Sequence, residues 1–277
     1  MRRWAAFAVA AGLAASCWAQ KSAPAATGQS GGDLSDPKEI LKKADEATKK
    51  VKSVRYMGEF HGTGSNERAP QMSGAVILSG ESAQGLSKFR FEVKIKDPVS
   101  NLTQDIVAVS NGDKYWLIDH NKKTVEEDID PIVLGQFGQR ATLIGMREFI
   151  HPQPFNDEIT GQKAELRGIE KIGNEECYKI WVKYSQENGG QEATWWFGKK
   201  DFLPRGVERF SLPPAGPGGG ENAPPPKPTG SVILKITELA TDPTFTTDPF
   251  TVVVPEGYKK TGGAPEPATP KEPEKDK

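Results

Sequence analysis

The side chains that most often bind metals or act as nucleophiles are few and widely spaced in this sequence. His61, His120 and His151 are far apart, and none pairs with another at the spacing of a metal site. Cys177 lies in a strand-like run with no histidine nearby to activate it, so we expect a small buried side chain. The acidic run 126–130 is typical of a solvated strand edge. We therefore expect no metal, no cofactor and no enzymatic activity.

Aromatic and aliphatic side chains carry a stronger pattern, because they alternate with polar ones. In the run 88–96, apolar residues occupy every second position and charged residues occupy the others. This period of two predicts a strand with one buried and one solvated face, as in an antiparallel sheet. Trp195 and Trp196 are adjacent in another such run and must point to opposite faces. Such rings either pack in a core or line an apolar ligand site.

The period of two recurs in about eleven runs between residues 54 and 239, which predicts one domain that is mainly β with few helices. A helix is expected before them, because Asp36 suits an N-cap, Pro37 suits the first turn and Glu39 can complete a capping box. A single sheet of this length must curl or be covered. The helix and the segment 131–150 are the available covers.

The segment 131–150 interrupts the strands, and its large apolar residues predict one or two short helices. Three glycines weaken these helices by about 1 kcal/mol each relative to alanine, so the segment is expected to act as a mobile lid. A curled sheet under such a lid would enclose an apolar cavity. We expect that replacing Gly138 and Gly145 by alanine stiffens the lid and slightly raises stability.

The N-terminal end has the composition of an export signal. Residues 1–19 begin with two arginines and continue into an apolar stretch that is too short to span a bilayer. The pattern is typical of a secretory signal peptide that is cleaved after Ala19. The alternative is an imperfect lipobox, in which Cys17 becomes the acylated first residue of the mature chain.

Three other segments differ in composition from the body. They are a flexible linker at 20–35, a Pro/Gly-rich loop insertion at 213–230 and a disordered tail at 260–277. The body is then one domain over residues 36–259. Lysine plus arginine number 36 and aspartate plus glutamate number 37, which gives a net charge of −1. This balance excludes a strong general attraction to nucleic acid, so no nucleic-acid partner is expected.

The order of these parts resembles the LolA/LolB-like superfamily, which comprises periplasmic lipoprotein carriers and outer-membrane lipoprotein-sorting proteins. The resemblance covers most of residues 36–259. It rests on the order of short motifs, which are DPKEIL (36–41), KSVRY (52–56), NGDKYW (111–116), GIEKIGNEECYKI (168–180), WWFGKKDFLPR (195–205) and FTVVVPEG (250–257). The family's fold is an unclosed antiparallel half-barrel covered by an N-terminal helix and a helical lid, and we expect the same fold here.

The resemblance implies a monomeric protein of the periplasm or cell envelope, anchored to a membrane if Cys17 is acylated. Its partners would be a lipid, an acyl chain or a lipoprotein, together with envelope membrane proteins. The expected function is to bind an acyl chain or lipid-anchored cargo in an apolar cavity and to carry lipoproteins between membranes. The alternative is a structural or sensory envelope domain of the same fold without carrier activity.

The strand pattern and the resemblance together name candidate site residues. The expected cavity lining is Phe60, Phe89, Phe91, Val93, Ile95, Tyr178 and Ile180. The expected lid residues are Leu134, Phe137, Leu143, Ile144 and Phe149. Carriers of this family hold the lid with a barrel arginine, but Arg55, Arg90 and Arg205 all lie in predicted strands without a decisive motif.

Overall fold

One helix opens the part of the chain that the computed structural model describes, which is residues 34–80, 88–185, 190–213 and 227–262. Helix α1 spans Pro37–Lys49, and the Asp36 carboxylate caps it by accepting a hydrogen bond from the Lys38 amide. Glu39 does not complete a capping box with Asp36 but forms an ion pair with Lys43. The apolar stripe of the helix is buried at Ile40, Leu41 and Ala44.

The described residues form twelve strands in a single sheet. In chain order they are β1 Ser53–Gly64, β2 Gln71–Ser79, β3 Lys88–Lys96, β4 Thr103–Ser110, β5 Tyr115–Asp119, β6 Thr124–Asp128, β7 Lys163–Ile172, β8 Glu175–Lys183, β9 Glu192–Gly198, β10 Pro204–Ser211, β11 Gly230–Thr241 and β12 Lys259–Gly262. Their order across the sheet is β12-β6-β5-β4-β3-β2-β1-β11-β10-β9-β8-β7.

The sheet is antiparallel throughout except at one edge, where β12 pairs with β6 in parallel. The other edge is β7, and β7 does not pair with β12, so the sheet stays open. The predicted unclosed half-barrel that is mainly β with few helices is therefore confirmed. The strand count is one higher than the sequence estimate, because β12 has only four residues and no alternating pattern of its own.

The main core lies on the concave face of the sheet, against α1 and a covering segment. This covering segment, residues 131–159, contains α2 Gly135–Ala141, α3 Asn156–Ile159 and three short 3-10 turns. The strand β3 shows why the face is apolar. Phe91, Val93 and Ile95 are buried in the main core, and Phe89 packs against it, whereas the charged residues between them lie on the outer face.

A second cluster lies on the outer face of β4, β5 and β6. The segment 242–258, which we call the strap, crosses this face between β11 and β12. Its Phe250 ring is 7% exposed and packs with Val107, Val109 and Ile118. At the far end of the strap, the Tyr258 hydroxyl lies 2.7 Å from His120 Nδ1. The strap therefore covers apolar side chains that the alternation of β4 places outside the main core.

The ends of the domain extend slightly beyond the predicted limits. Residues 260–262 belong to β12, not to the tail, because the Lys259 amide donates to the Lys123 carbonyl and Lys260 forms an ion pair with Glu127 at 2.9 Å. Leu34 lies within the predicted linker, yet it packs against the core. The predicted signal peptide with Cys17, most of the linker, most of the Pro/Gly insertion and the rest of the tail lie outside the described residues.

Candidate functional site: the concave face and its cover

The predicted cavity residues lie together on the concave face. All seven belong to the main core, six as buried members and Phe89 as a half-buried neighbour. They come from three strands that are far apart in sequence: Phe60 from β1; Phe89, Phe91, Val93 and Ile95 from β3; Tyr178 and Ile180 from β8. The strand alternation therefore places these side chains on one apolar surface.

The predicted lid residues divide between the two sides of the covering segment. Leu134, Ile144 and Phe149 are buried in the main core, and Phe137 is half-buried against it. Leu143 was expected to face inward, but its side chain is 44% exposed. The reason is the 3-10 turn Thr142–Ile144, which buries Ile144 and so directs the preceding side chain outward.

The space between the sheet and the covering segment is filled by the protein's own side chains. Ile144, Met146 and Phe149 of the covering segment are at most 4% exposed, and Phe155 is fully buried. The Phe155 ring packs edge-on against Trp195, with ring centroids 5.1 Å apart. In this closed form, the side chains of the covering segment therefore occupy the place of the expected ligand.

Two hollows among the described residues are open to solvent. One, of about 320 Å³, is lined by Gln136, Gln139, Arg140 and Leu143 on the covering segment. The other, of about 510 Å³, includes Lys94 and Lys96 of β3. Both expose charged side chains, so neither has the character expected of an apolar cavity.

A buried hydroxyl joins β1 to the covering segment. The Tyr56 hydroxyl donates to the Ile144 carbonyl at 3.0 Å and accepts from the Met146 amide at 2.7 Å. Both backbone groups flank Gly145, where the segment has no regular helix of its own. Burial strongly raises the pKa of Tyr56, so the hydroxyl keeps its proton and both hydrogen bonds.

Charged side chains also join the covering segment to the sheet. Arg209 of β10 donates to Glu148 at 3.1 Å, and its guanidinium lies 5.2 Å from the centre of the Trp195 ring. At the other end of the segment, Arg140 forms an ion pair with Asp97 at 3.7 Å. Burial raises the pKa of Glu148, while the Arg209 charge opposes this shift.

A second carboxyl group of the covering segment is buried. Glu158 of α3 is 6% exposed, and its carboxyl oxygen lies 2.6 Å from the Tyr184 hydroxyl. The Tyr184 hydroxyl also accepts from Trp195 Nε1 at 3.2 Å. Burial raises the pKa of Glu158 to about 7, although the hydrogen bond from Tyr184 partly opposes this shift.

The strand arginine that bonds to the covering segment is Arg209, which is not one of the three considered from the sequence. Arg205 is buried, but it bonds to Asp201 at 2.6 Å and to Glu175 at 2.8 Å, both outside the covering segment. Arg90 bonds to Glu92 and to the Pro249 carbonyl. Arg209 could have been recognised from its strand parity, because it follows the inward-facing residue 207 by two positions.

The two glycines chosen for substitution have no room for a side chain. A Cβ atom on Gly145 would lie 3.0 Å from two ring carbons of Phe91 and 3.0 Å from the Thr142 carbonyl oxygen. A Cβ atom on Gly138 would lie 2.5 Å from the Cβ of Leu134. These contacts oppose the expected gain in helix propensity, so we predict that alanine at these positions lowers stability.

The side chains considered from the sequence as nucleophiles or metal ligands lie apart from the concave face or from one another in the part of the chain that the structure describes. Cys177 is fully buried beside Trp196 on the outer face, and burial raises its pKa to about 11. In the described ranges, no three His, Cys, Asp or Glu side chains are grouped closely enough to hold a metal ion. The same ranges contain no helix with the length and apolar character needed to cross a membrane.

Comparisons with known proteins give matches at the level of structure only. A scan against models of known families finds no match, and a search of curated proteins finds none either. Among solved structures, LprF from Mycobacterium bovis matches at 12% identity over 79% of this chain and 100% of its own, with a TM-score of 0.44. The lipoprotein LppX from Mycobacterium tuberculosis matches at 12% identity over 76% of this chain and 97% of its own, with a TM-score of 0.44.

A LolA superfamily protein from Nitrosomonas europaea also matches, at 15% identity over 75% of this chain and 93% of its own, with a TM-score of 0.28. Similarity this low carries no conclusion about activity. The solved structures to which this chain is similar thus include a member of the superfamily that its sequence resembles.

Proposed function

We propose that this protein binds an acyl chain, or the acyl chains of a lipid-anchored cargo, between the concave face and the covering segment. The observation that carries the proposal is the way in which the concave face is closed. Beyond the area that α1 covers, the apolar surface is closed by 3-10 turns and two helices of seven and four residues. Such short elements can move aside at lower cost than an integral core layer.

An acyl chain would replace the side chains that now fill the concave face. Phe149 and Phe155 would leave the sheet as the segment opens, and the chain would contact the same strand residues. Each buried methylene contributes about 0.8 kcal/mol, so a long chain can offset the contacts that are lost. The protein would act in the periplasm or cell envelope and, as a carrier, would move lipoproteins between membranes.

A series of saturated fatty acids tests the proposal. Each added methylene should lower the Kd by about fourfold, because 0.8 kcal/mol is gained per group. Butyrate serves as the control that carries the headgroup without the chain. A Kd that does not depend on chain length would show that the carboxylate binds to surface lysines, and would contradict the proposal.

The filled concave face also favours a second candidate, a structural or sensory envelope domain of the same fold. A permanently packed core would suit a domain that transmits contacts instead of holding a ligand. This candidate predicts no binding at any chain length and unchanged amide exchange in the covering segment when fatty acid is added.

A further inference from the structure

Two carboxyl groups of the covering segment lie near one guanidinium at the edge of the concave face. The guanidinium is that of Arg209, and it donates a hydrogen bond of 3.1 Å to Glu148. The carboxyl of Glu158 instead accepts a hydrogen bond from the Tyr184 hydroxyl. Because Trp195 donates to the Tyr184 oxygen, the hydroxyl proton of Tyr184 is directed to Glu158.

Among the described residues, no cation on the elements packed around Glu158 forms an ion pair with it. From the helix α1, Asp45 accepts from the Phe155 amide and pairs with Lys49, so these two charges are already matched. The last 3-10 turn contributes the acidic Glu148, and β10 contributes Arg209. These two residues form an ion pair with each other. Within the described ranges, an ionised Glu158 has no ion-pair partner and receives a side-chain hydrogen bond from Tyr184 alone, so its charge would be buried without a direct counter-charge.

The surroundings of Glu158 in the closed form shift its titration toward neutral pH. Burial and the nearby negative charge of Glu148 raise its pKa, whereas the Tyr184 hydrogen bond and the Arg209 charge lower it, and together they place the pKa at about 7. The exposed carboxyl of an open segment has a pKa of about 4.3. The closed form therefore binds the proton more tightly than the open form.

We propose that Glu158 is a proton-controlled latch of the covering segment. The protonated carboxyl keeps α3 against β8 and β9, and its ionisation releases residues 147–159 from the sheet. The latch would let pH regulate the opening of the covering segment that the proposed function requires. Its opening takes place in the ligand-free protein, so it can be tested whether or not an acyl chain binds.

The sign of the pH effect follows from proton linkage. Between the pKa of Glu158 in the open form and its pKa in the closed form, opening releases a proton. The open population therefore rises by up to about tenfold for each pH unit in that interval. From pH 5 to pH 7 the rise is at most about 100-fold. Above the pKa of Glu158 in the closed form, the open population reaches a plateau, because Glu158 is then ionised in both forms.

Amide hydrogen exchange of the full chain, corrected for the pH dependence of chemical exchange, measures this opening. In the wild type, protection at 147–159 should fall by up to about 100-fold from pH 5 to pH 7, with β3 as the internal reference. Glu158→Gln keeps an acceptor for Tyr184 but cannot ionise, so its protection should fall much less steeply than in the wild type, and the pH dependence that remains belongs to Glu148, whose pKa is also raised by burial. Glu170→Gln, which removes an exposed carboxylate bonded to Lys179, is the matched control and should follow the wild type.

Wild-type protection that is constant across this pH range would overturn the proposal, and so would a pH dependence in Glu158→Gln that is as steep as in the wild type. If Glu158→Gln does not fold, Tyr184→Phe provides the test. It removes a hydrogen bond that lowers the pKa of Glu158, so the plateau should begin at a higher pH than in the wild type. An unmoved plateau would contradict the latch. Failure of fatty-acid binding with an intact pH response would contradict only the proposed function.

Discussion

Replacing Tyr56 by phenylalanine tests whether the buried hydroxyl holds the covering segment closed. The change preserves the ring and its packing but leaves the Ile144 carbonyl and the Met146 amide without the hydroxyl that bonds them. A buried polar group that loses its partner costs about 1–3 kcal/mol. With two such groups, the free energy of the closed form should rise by about 2–6 kcal/mol, which is an increase in opening of at least about 30-fold and at most about 20,000-fold.

Amide exchange at residues 142–149 measures this increase directly. Tyr115→Phe is the matched control, because Tyr115 is buried in the same core and its hydroxyl has no hydrogen-bond partner among the described residues. We expect the control to change exchange by less than threefold. Equal exchange in Tyr56→Phe and Tyr115→Phe would refute the role assigned to the Tyr56 hydroxyl.

Three other substitutions test the arrangement of the two faces. Phe91→Glu should unfold the domain or abolish acyl-chain binding because it buries an unpaired charge, whereas Lys96→Glu on the exposed face should do neither, as shown by circular dichroism and probe binding. Gly145→Ala should lower the melting temperature because its Cβ meets the Phe91 ring, and an increase would contradict the observed packing. Phe250→Ala should lower the free energy of unfolding by about 3 kcal/mol, as measured with denaturant. Surface substitutions typically change it by less than about 0.5 kcal/mol, so an effect that small would show that the strap does not contribute to the core.

Strand parity was the part of the fold that the sequence could predict well. In β3, each residue contacts either the core or solvent according to its position, so a period of two is visible in the chain itself. The same reasoning predicted that Trp195 and Trp196 point to opposite faces, and Trp195 lies in the main core whereas Trp196 lies in a separate cluster. The open antiparallel sheet followed from the resemblance of the motifs.

Features that depend on distant partners could not be predicted in this way. Phe155 follows a proline and stands outside any periodic run, yet it is fully buried against β9. Glu158 lies at an acidic helix start, a composition typical of exposed turns, and nothing local indicates its contact with Tyr184. The four-residue β12 is defined by its pairing with β6, which lies more than 130 positions earlier in the chain.

The central claim is that the covering segment moves aside to admit an acyl chain. Amide exchange of the ligand-free protein and of the protein saturated with lauric acid tests it most directly. We predict altered exchange in residues 131–159 and in the concave strands β1, β3 and β8, with the strap and β12 unchanged. Bound lauric acid that leaves the covering segment unaltered, or alters only the outer face, would contradict the account.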